Sequence, residues 1–168
     1  MKVRLHLLRH ADAGDRSTWS GPDDERPLSD EGRAQADRLG AFLRASGFEP
    51  DSILTSPRTR ARETAELVAE YLGRSVSICE PLAEGPTLEE LEALLSAAGD
   101  PRLPLLVGHD PALSELGASL LGLNELALKK GALLRVDAVR PLAAGQARLR
   151  ALIPPDMLSS SPPSDRGA

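Results

Sequence analysis

The residues of this chain whose types and positions are best suited to catalysis are two histidines and two arginines. Each of them follows a short apolar run. Imidazole is a competent nucleophile near neutral pH, and the planar guanidinium group donates paired hydrogen bonds to phosphoryl oxygens. This combination of side chains predicts a site that binds and transfers a phosphoryl group. The four residues are Arg9 and His10 after residues 3–8, Arg60 after residues 51–55, and His109 after residues 105–107.

Each of these residues also has a purely structural interpretation. An Arg-His pair after a strand commonly forms a loop salt bridge, and the arginines within 58–62 are typical of a solvated helix face. His109 alone is equally consistent with a capping or core histidine, and His6, inside the first apolar run, is interpreted as structural. Arg58 and Arg62 are assigned to the surface. The other residues lie together at three strand ends, and this placement favours a catalytic interpretation over a structural one.

Short apolar runs alternate with segments of 3.6-residue periodicity, a pattern typical of an α/β fold. The predicted fold is a three-layer α/β/α sandwich with a mostly parallel central sheet. Ligands of such sheets bind beyond the carboxyl ends of the strands, where the four candidate residues lie. The predicted strands are residues 3–8, 51–55, 75–79 and 105–107, followed by an adjacent pair at 132–139 and 146–153.

Capping residues predict where the helices begin. Ser29 precedes a helix whose apolar residues share one face, and Thr87 with Glu90 has the spacing of a capping box. Ser56 and Pro57 predict an N-cap and a first-turn proline for the second helix. Helix N-termini at the carboxyl edge of the sheet add partial positive charge, which favours an anionic ligand there.

Composition excludes several classes of protein. Lys+Arg number 20 against 25 Asp+Glu, the net charge is −5, and 2% of the residues are aromatic. The basic surface and stacking platforms of nucleic-acid-binding proteins are therefore not expected. No apolar run approaches the length of a membrane span, no signal-peptide core follows the N-terminus, and the lone Cys79 fits a reducing compartment. We expect a cytoplasmic monomer with no nucleic-acid or membrane partner.

The chain is predicted to form one domain that needs no cofactor. Its three histidines and single cysteine lack the spacing of a zinc site, so no metal is predicted. Residues 1–153 carry all the predicted elements and form the predicted catalytic domain. Residues 154–168 are rich in proline and serine, cannot bury a core face, and are predicted to form a disordered tail.

Four ordered motifs resemble those of the histidine phosphatase (phosphoglycerate-mutase-like) superfamily. The small size and the pairing of the first two motifs are most similar to the SixA-type phosphohistidine phosphatases. Ala11 stands where many relatives have glycine, and residues 81–86 are too short for the insertion of the mutase and sugar-phosphatase branches. The motifs are Leu8-Arg9-His10-Ala11-Asp12-Ala13, Arg26-Pro27-Leu28-Ser29 with Gly32 and Gln35, Ser56-Pro57-Arg58-Thr59-Arg60-Ala61 with Thr64, and Val107-Gly108-His109-Asp110-Pro111.

The resemblance implies a two-step phosphoryl transfer without metal. His10 is implied to attack phosphorus and become phosphohistidine, which water then hydrolyses. Arg9, Arg60 and His109 are implied to bind the non-bridging oxygens and to stabilise their charge in the transition state. Arg26 is assigned to substrate binding from its position in the second motif.

The leaving group separates the possible substrates. A protonated imidazole leaves readily from phosphohistidine, whereas an alkoxide needs a general acid. Glu84 loosely matches the acid of related enzymes, although its position is somewhat more typical of a solvated loop carboxylate. The preferred substrate is phosphohistidine in a protein. The alternatives are a phosphomonoesterase for small phosphorylated metabolites that uses Glu84 as acid, and a catalytically silent module that binds phosphorylated proteins. The role of Asp12 stays open.

Overall fold

The computed structural model describes residues 1–158, and the strands within this range form one six-stranded sheet. The strands are β1 (Lys2–Arg9), β2 (Ser52–Thr55), β3 (Ser77–Ile78), β4 (Pro104–Gly108), β5 (Leu133–Val139) and β6 (Arg148–Ile153). Their order across the sheet is β3-β2-β4-β1-β5-β6. The first four strands pair in parallel, whereas β5 runs antiparallel to both β1 and β6. The prediction of a mostly parallel sheet is confirmed.

Helices cover both faces of this sheet. They are α1 (Asp30–Ala45), α2 (Thr59–Leu72), α3 (Pro81–Glu84), α4 (Leu88–Ala97) and α5 (Ala112–Leu121). Alternate residues of a strand point to opposite faces, so Leu8 packs with α1 and α2, whereas Leu5 and Leu7 pack with α4 and α5. The predicted three-layer α/β/α sandwich is therefore confirmed. Across residues 1–158, no helix combines the length and apolar character needed to cross a membrane.

Two helix starts follow the predicted capping chemistry. The Oγ of Ser29 accepts a hydrogen bond from the backbone N–H of Gly32 at 3.0 Å, which satisfies a donor of the first turn of α1. The side chain of Thr87 and that of Glu90 accept each other's backbone N–H groups at the start of α4. Local sequence is sufficient at both positions because the partners lie within one turn.

The predicted start of the second helix is wrong. Ser56 is not its N-cap and Pro57 is not in its first turn, because α2 begins at Thr59. The Oγ of Ser56 instead lies 2.7 Å from Nε2 of His109 and accepts the backbone N–H of Arg58 at 3.2 Å. A long-range contact has therefore taken the hydroxyl that local sequence assigns to a cap.

Two short elements differ from the prediction. The third strand covers only Ser77–Ile78 rather than 75–79, and it lies at the edge of the sheet beside β2. The helix α3 was not predicted, because a single turn is too short to show helical periodicity. Its Leu82 is buried in the core on the α4 and α5 side, so this turn is packed against the sheet.

The folded chain extends past the predicted boundary at residue 153. Residues Pro155–Met157 form a 3₁₀ turn, Pro155 is buried, and Leu158 packs against the core on the α1 and α2 side. Disorder is therefore the wrong prediction for residues 154–158, because these residues bury apolar surface. The remainder of the predicted tail, residues 159–168, lies outside the described residues.

Candidate active site

The sheet topology places the ends of β1, β2 and β4 side by side. Arg9 pairs in register with Gly108, and Thr55 pairs with Val107. The residues that follow are tied to the same edge, because the backbone N–H of His10 donates to the carbonyl of Gly108 at 3.0 Å. Three motifs that are far apart in sequence therefore meet at one edge of the sheet.

His10 has the protonation geometry of a nucleophile. Its side chain is 6% exposed, and its Nδ1 lies 2.7 Å from the carbonyl oxygen of Ala11. A carbonyl only accepts hydrogen bonds, so Nδ1 carries the proton and Nε2 keeps its lone pair. Burial lowers the pKa of His10 to about 4, with smaller contributions from the charges of Arg60 and Arg9. The ring is therefore neutral near pH 7.

His109 lies beside His10, with 5.2 Å between the ring centroids. Its Nε2 lies 2.7 Å from the Oγ of Ser56, whose other contact is the backbone N–H of Arg58. The Ser56 hydroxyl is able to donate its proton to Nε2, and in that tautomer His109 carries its own proton on Nδ1. That Nδ1 is buried and has no hydrogen-bond partner among residues 1–158. It is an available donor for an anionic ligand.

The two predicted arginines are half-buried or buried around these rings. The side chain of Arg60 is 6% exposed, and its Nη1 donates to the backbone carbonyl of Asp23 at 2.7 Å. Arg9 donates from Nη1 to the carbonyl of Leu128 at 2.6 Å and pairs with Asp110 at 3.2 Å. The Nε atoms of both arginines are buried without a partner in the described part of the chain. Each arginine thus keeps a donor for a ligand.

Arg26 braces the long loop after His10. It donates from Nη1 to the carbonyls of Ala13 and Gly14, at 2.7 and 3.2 Å, and from Nε to Asp23 at 2.9 Å. These contacts use Nε and Nη1 of Arg26 within the loop itself. Substrate binding by Arg26 stays a prediction, and its observed contacts are structural.

Asp12 connects the same loop to two other parts of the fold. Its Oδ2 accepts from Ser29 at 2.6 Å, and its Oδ1 lies 2.9 Å from Nζ of Lys130. The hydrogen bond from Ser29 is the main reason that the pKa of Asp12 falls to about 2. These contacts hold Asp12 as a carboxylate and tie the loop after His10 to Ser29 and Lys130.

Glu84 and Arg58 form the outer rim of the site. Arg58 binds Glu84 at 2.5 Å and Asp24 at 2.9 Å, and its own side chain is 22% exposed. Arg58, assigned to the surface, is thus half-buried at this rim, and its charge contributes to the lowered pKa of His109. The Glu84 side chain is 86% exposed. Arg62, by contrast, makes no ion pair within residues 1–158.

Four supporting residues were not predicted. Ser56 and Thr64 lie within the third motif, and Thr64 Oγ1 accepts the backbone N–H of Ala11 at 3.1 Å. Their position in the motif could have identified both residues as part of the site. Asp23 and Lys130 carry no local signal, because they reach the site only through loops. No group of His, Cys, Asp and Glu suited to a metal ion is found within residues 1–158.

Comparison with known proteins agrees with the site. Residues 5–97, more than half of the chain, match the model of the histidine phosphatase superfamily (branch 1). An uncharacterized protein of Picosynechococcus is 38% identical over 67% of this chain and 70% of its own length. The 8-oxo-(d)GTP phosphatase of Mycolicibacterium smegmatis is 35% identical over 71% of this chain, which spans only 35% of that protein.

A similar fold occurs in a solved structure. The protein histidine phosphatase SixA complexed with tungstate superposes with a TM-score of 0.80 and 22% identity, covering 92% of this chain and 99% of the other. At that identity the likeness concerns the fold. The match of the family model covers β1, α1, β2 and α2, and with them both His10 and Arg60. On these grounds the chain belongs to the histidine phosphatase superfamily, branch 1.

Proposed function

We propose that this protein is a metal-independent phosphatase that hydrolyses phosphohistidine in proteins through a phosphohistidine intermediate on His10. The observation that carries the proposal is the 2.7 Å contact between Nδ1 of His10 and the carbonyl of Ala11. The contact fixes the proton on Nδ1 and leaves Nε2 as the attacking atom, while burial keeps the ring neutral. A nucleophile prepared in this way does not need an external base for its first step.

The proposed reaction has two displacements at phosphorus. In the first, the lone pair of His10 Nε2 forms an N–P bond while the bond from phosphorus to the substrate nitrogen breaks. The electron pair of that bond stays on the departing imidazole, which leaves as the neutral ring because its other nitrogen is protonated. In the second, water attacks the phosphoryl group, the N–P bond breaks, and inorganic phosphate and free His10 result. One water proton goes to solvent or phosphate.

Unused buried donors support the binding of the phosphoryl oxygens. Nε of Arg9, Nε of Arg60 and Nδ1 of His109 are buried, and none has a partner within residues 1–158. Buried polar groups are normally hydrogen-bonded, because an unpaired buried donor costs about 1–3 kcal/mol. A phosphoryl group at Nε2 of His10 would carry a negative charge that matches the two guanidinium groups, whose charges act on His10, and these donors would be available to its oxygens.

The state of the surrounding carboxylates favours phosphohistidine over a phosphate ester. An ester needs a protonated acid for its alkoxide, whereas pairing with a cation stabilises the charged, unprotonated carboxylate. The likeness of fold to SixA points the same way. Two carboxylates beside the site have a lowered pKa, Asp12 chiefly through its hydrogen bond from Ser29 and Asp23 chiefly through that from Arg26.

The decisive experiment measures phosphate release at neutral pH without added metal. A histidine-phosphorylated carrier protein and a panel of phosphate esters, including a nucleoside triphosphate, are offered to the wild type and to His10→Ala. We expect release from the carrier protein alone and no release in the variant. Thermal unfolding of both proteins shows whether the variant is folded.

Each other outcome selects an alternative. Preference for an ester, with a rate that collapses in Glu84→Gln, would make the protein a phosphomonoesterase for small metabolites. Binding of phosphate without turnover of any substrate would make it a silent binding module. Equal turnover by wild type and His10→Ala would exclude the phosphohistidine intermediate itself.

A further inference from the structure

Asp23 is the point at which the loop after His10 contacts Arg60. Its backbone carbonyl accepts Nη1 of Arg60 at 2.7 Å, and its Oδ2 lies 3.3 Å from Nη2 of the same residue. Its other carboxylate oxygen, Oδ1, accepts Nε of Arg26 at 2.9 Å and lies 3.7 Å from Nε of Arg16. One residue thus binds the guanidinium group twice while being held in place from the opposite side.

Arg60 needs such a partner because it is buried. Its side chain is 6% exposed, and removing a guanidinium group from water without a counter-charge is costly. Within residues 1–158, Asp23 is the one carboxylate that lies within ion-pair distance of Arg60. Because Asp23 uses the Nη groups, the buried Nε of Arg60 stays without a partner and available to a ligand.

The contact between Asp23 and Arg60 influences the candidate active site through the position of Arg60. Thr64 Oγ1 donates to the backbone carbonyl of Arg60 at 2.7 Å and accepts the backbone N–H of Ala11, the neighbour of His10, at 3.1 Å. The positive charge of Arg60 is also among the causes that lower the pKa of His10 and His109. Arginine has several rotatable bonds, and a rotamer change would move its donors by several ångströms. A fixed Asp23 removes that freedom, because its carboxylate is bound by Arg26 and cannot follow a moving arginine.

We propose that Asp23 is a positioning residue that holds Arg60 in the orientation required to bind the phosphoryl group, an assignment that rests on the proposed function. Asp23 itself does not touch the reacting atoms. The loop between β1 and α1 therefore contributes to the site from outside, by fixing a side chain that belongs to α2. The same contact joins the loop to the catalytic edge, so loop order and arginine position are coupled.

The test uses Asp23→Asn, with Asp24→Asn as the matched control. Asp24 is the adjacent residue, its side chain is 71% exposed, and it contacts Arg58 rather than Arg60. Two quantities are measured in the full chain: tungstate affinity by calorimetry, and kcat/KM on a histidine-phosphorylated carrier protein. We expect Asp23→Asn to lower both by about tenfold, since small misplacements of binding groups cost up to about 10²-fold. Asp24→Asn should stay within about twofold of the wild type.

A double-mutant cycle with Arg60→Ala identifies the route of the effect. If Asp23 acts through Arg60, Asp23→Asn has no further effect on tungstate affinity once Arg60 is removed. Asp23→Glu, which keeps the charge, should regain part of the loss. These readouts would not respond to a general loss of stability, which is followed separately by thermal unfolding.

Three results would overturn the proposal. Tighter tungstate binding or faster turnover in Asp23→Asn would show that the carboxylate competes with the ligand. Equal losses with and without Arg60 would show that Asp23 acts elsewhere, and an unchanged Asp23→Asn would show that it does not act at all. If the wild type binds tungstate with the expected dependence on Asp23 but hydrolyses no substrate, the positioning role stands and the proposed phosphatase activity fails.

Discussion

His6 and His10 belong to the same stretch of chain and share most of their local properties. They are 4% and 6% exposed, and the pKa of each is lowered to about 4, chiefly by burial. The Nδ1 of each lies near a backbone carbonyl, that of Arg4 for His6 and that of Ala11 for His10, at 3.1 and 2.7 Å. By burial, pKa and tautomer, the two rings are nearly equivalent.

Their wider surroundings differ. His6 lies within β1, its ring is 4.5 Å from that of Phe48, and the opposite charges of Arg135 and Asp137 act on it. His10 follows the end of β1, 5.2 Å from the ring of His109, where the charges of two arginines and Lys130 act on it. A lowered pKa is therefore not enough to identify a catalytic histidine in this fold. Convergence of unpaired donors at the carboxyl edge distinguishes the two.

The strongest test replaces each histidine in turn by asparagine. We expect His10→Asn to lower kcat on a histidine-phosphorylated protein by more than about 10⁴, because the nucleophile is removed. His6→Asn should keep kcat within about threefold and lose about 1–3 kcal/mol of unfolding free energy through altered packing. The comparison fails if His6→Asn loses activity while it is still folded at the assay temperature. An acid-labile phosphoenzyme should be trapped with His6→Asn and not with His10→Asn.

A second contrast uses two buried arginines. Arg140, 6% exposed like Arg60, binds Glu92 and Asp100, each at 2.7 Å, and so joins α4 to the chain after β5. Arg60→Ala should lower kcat/KM by about 10²–10³ because it removes a donor to the transition state. Arg140→Ala should cost about 1–3 kcal/mol of unfolding free energy, since a buried guanidinium group and its hydrogen bonds to two partly exposed carboxylates are lost. Urea unfolding and steady-state kinetics on both variants would separate the two roles.

The pH dependence of stability should not distinguish the two histidines. Each has a folded pKa of about 4, below the ordinary 6.5, so the unfolded chain binds more protons between these values. Their contribution to stability is complete above pH 6.5 and is lost as the pH falls toward 4. The expected loss is roughly 1 kcal/mol per titrating histidine per pH unit.

Urea unfolding between pH 7 and 5 measures this loss together with that of His109, whose pKa is lowered to about 3, whereas Asp12, with a pKa of about 2, titrates below that range. Both His6→Asn and His10→Asn should show a shallower pH dependence than the wild type, although only one of them loses activity. An unchanged slope in either variant would show that its histidine is not neutral in the folded state.

The smallest expected effect comes from the rim. Glu84 is 86% exposed and paired with Arg58, so Glu84→Gln should change kcat on a phosphohistidine substrate by less than about twofold. Stopped or coupled phosphate assays on wild type and variant are sufficient. A loss of tenfold or more would show that Glu84 transfers a proton at the rim. The catalytic residues would then include Glu84 as well as His10.

Patterns within a few residues were enough to predict the approximate positions of the strands and the capping of α1 and α4. They were also enough to select the four candidate residues of the motifs. Apolar runs reveal strands, and side-chain caps satisfy donors one turn away, so the physical cause lies inside the window that is read. The order of the four motifs along the chain indicated the family. The start of α2 was missed for the opposite reason, since the partner of the Ser56 hydroxyl lies on His109, after a different strand.

Features that join distant segments needed the folded chain. The role of Asp12 depends on Ser29 and Lys130, and the hold on Arg60 depends on Asp23, which no sequence pattern marks. Sequence identified which side chains are able to bind and attack a phosphoryl group. Their distances, the orphaned donors and the proton on Nδ1 of His10 arise only when the ends of β1, β2 and β4 are brought together, because burial and pairing are properties of the packed edge.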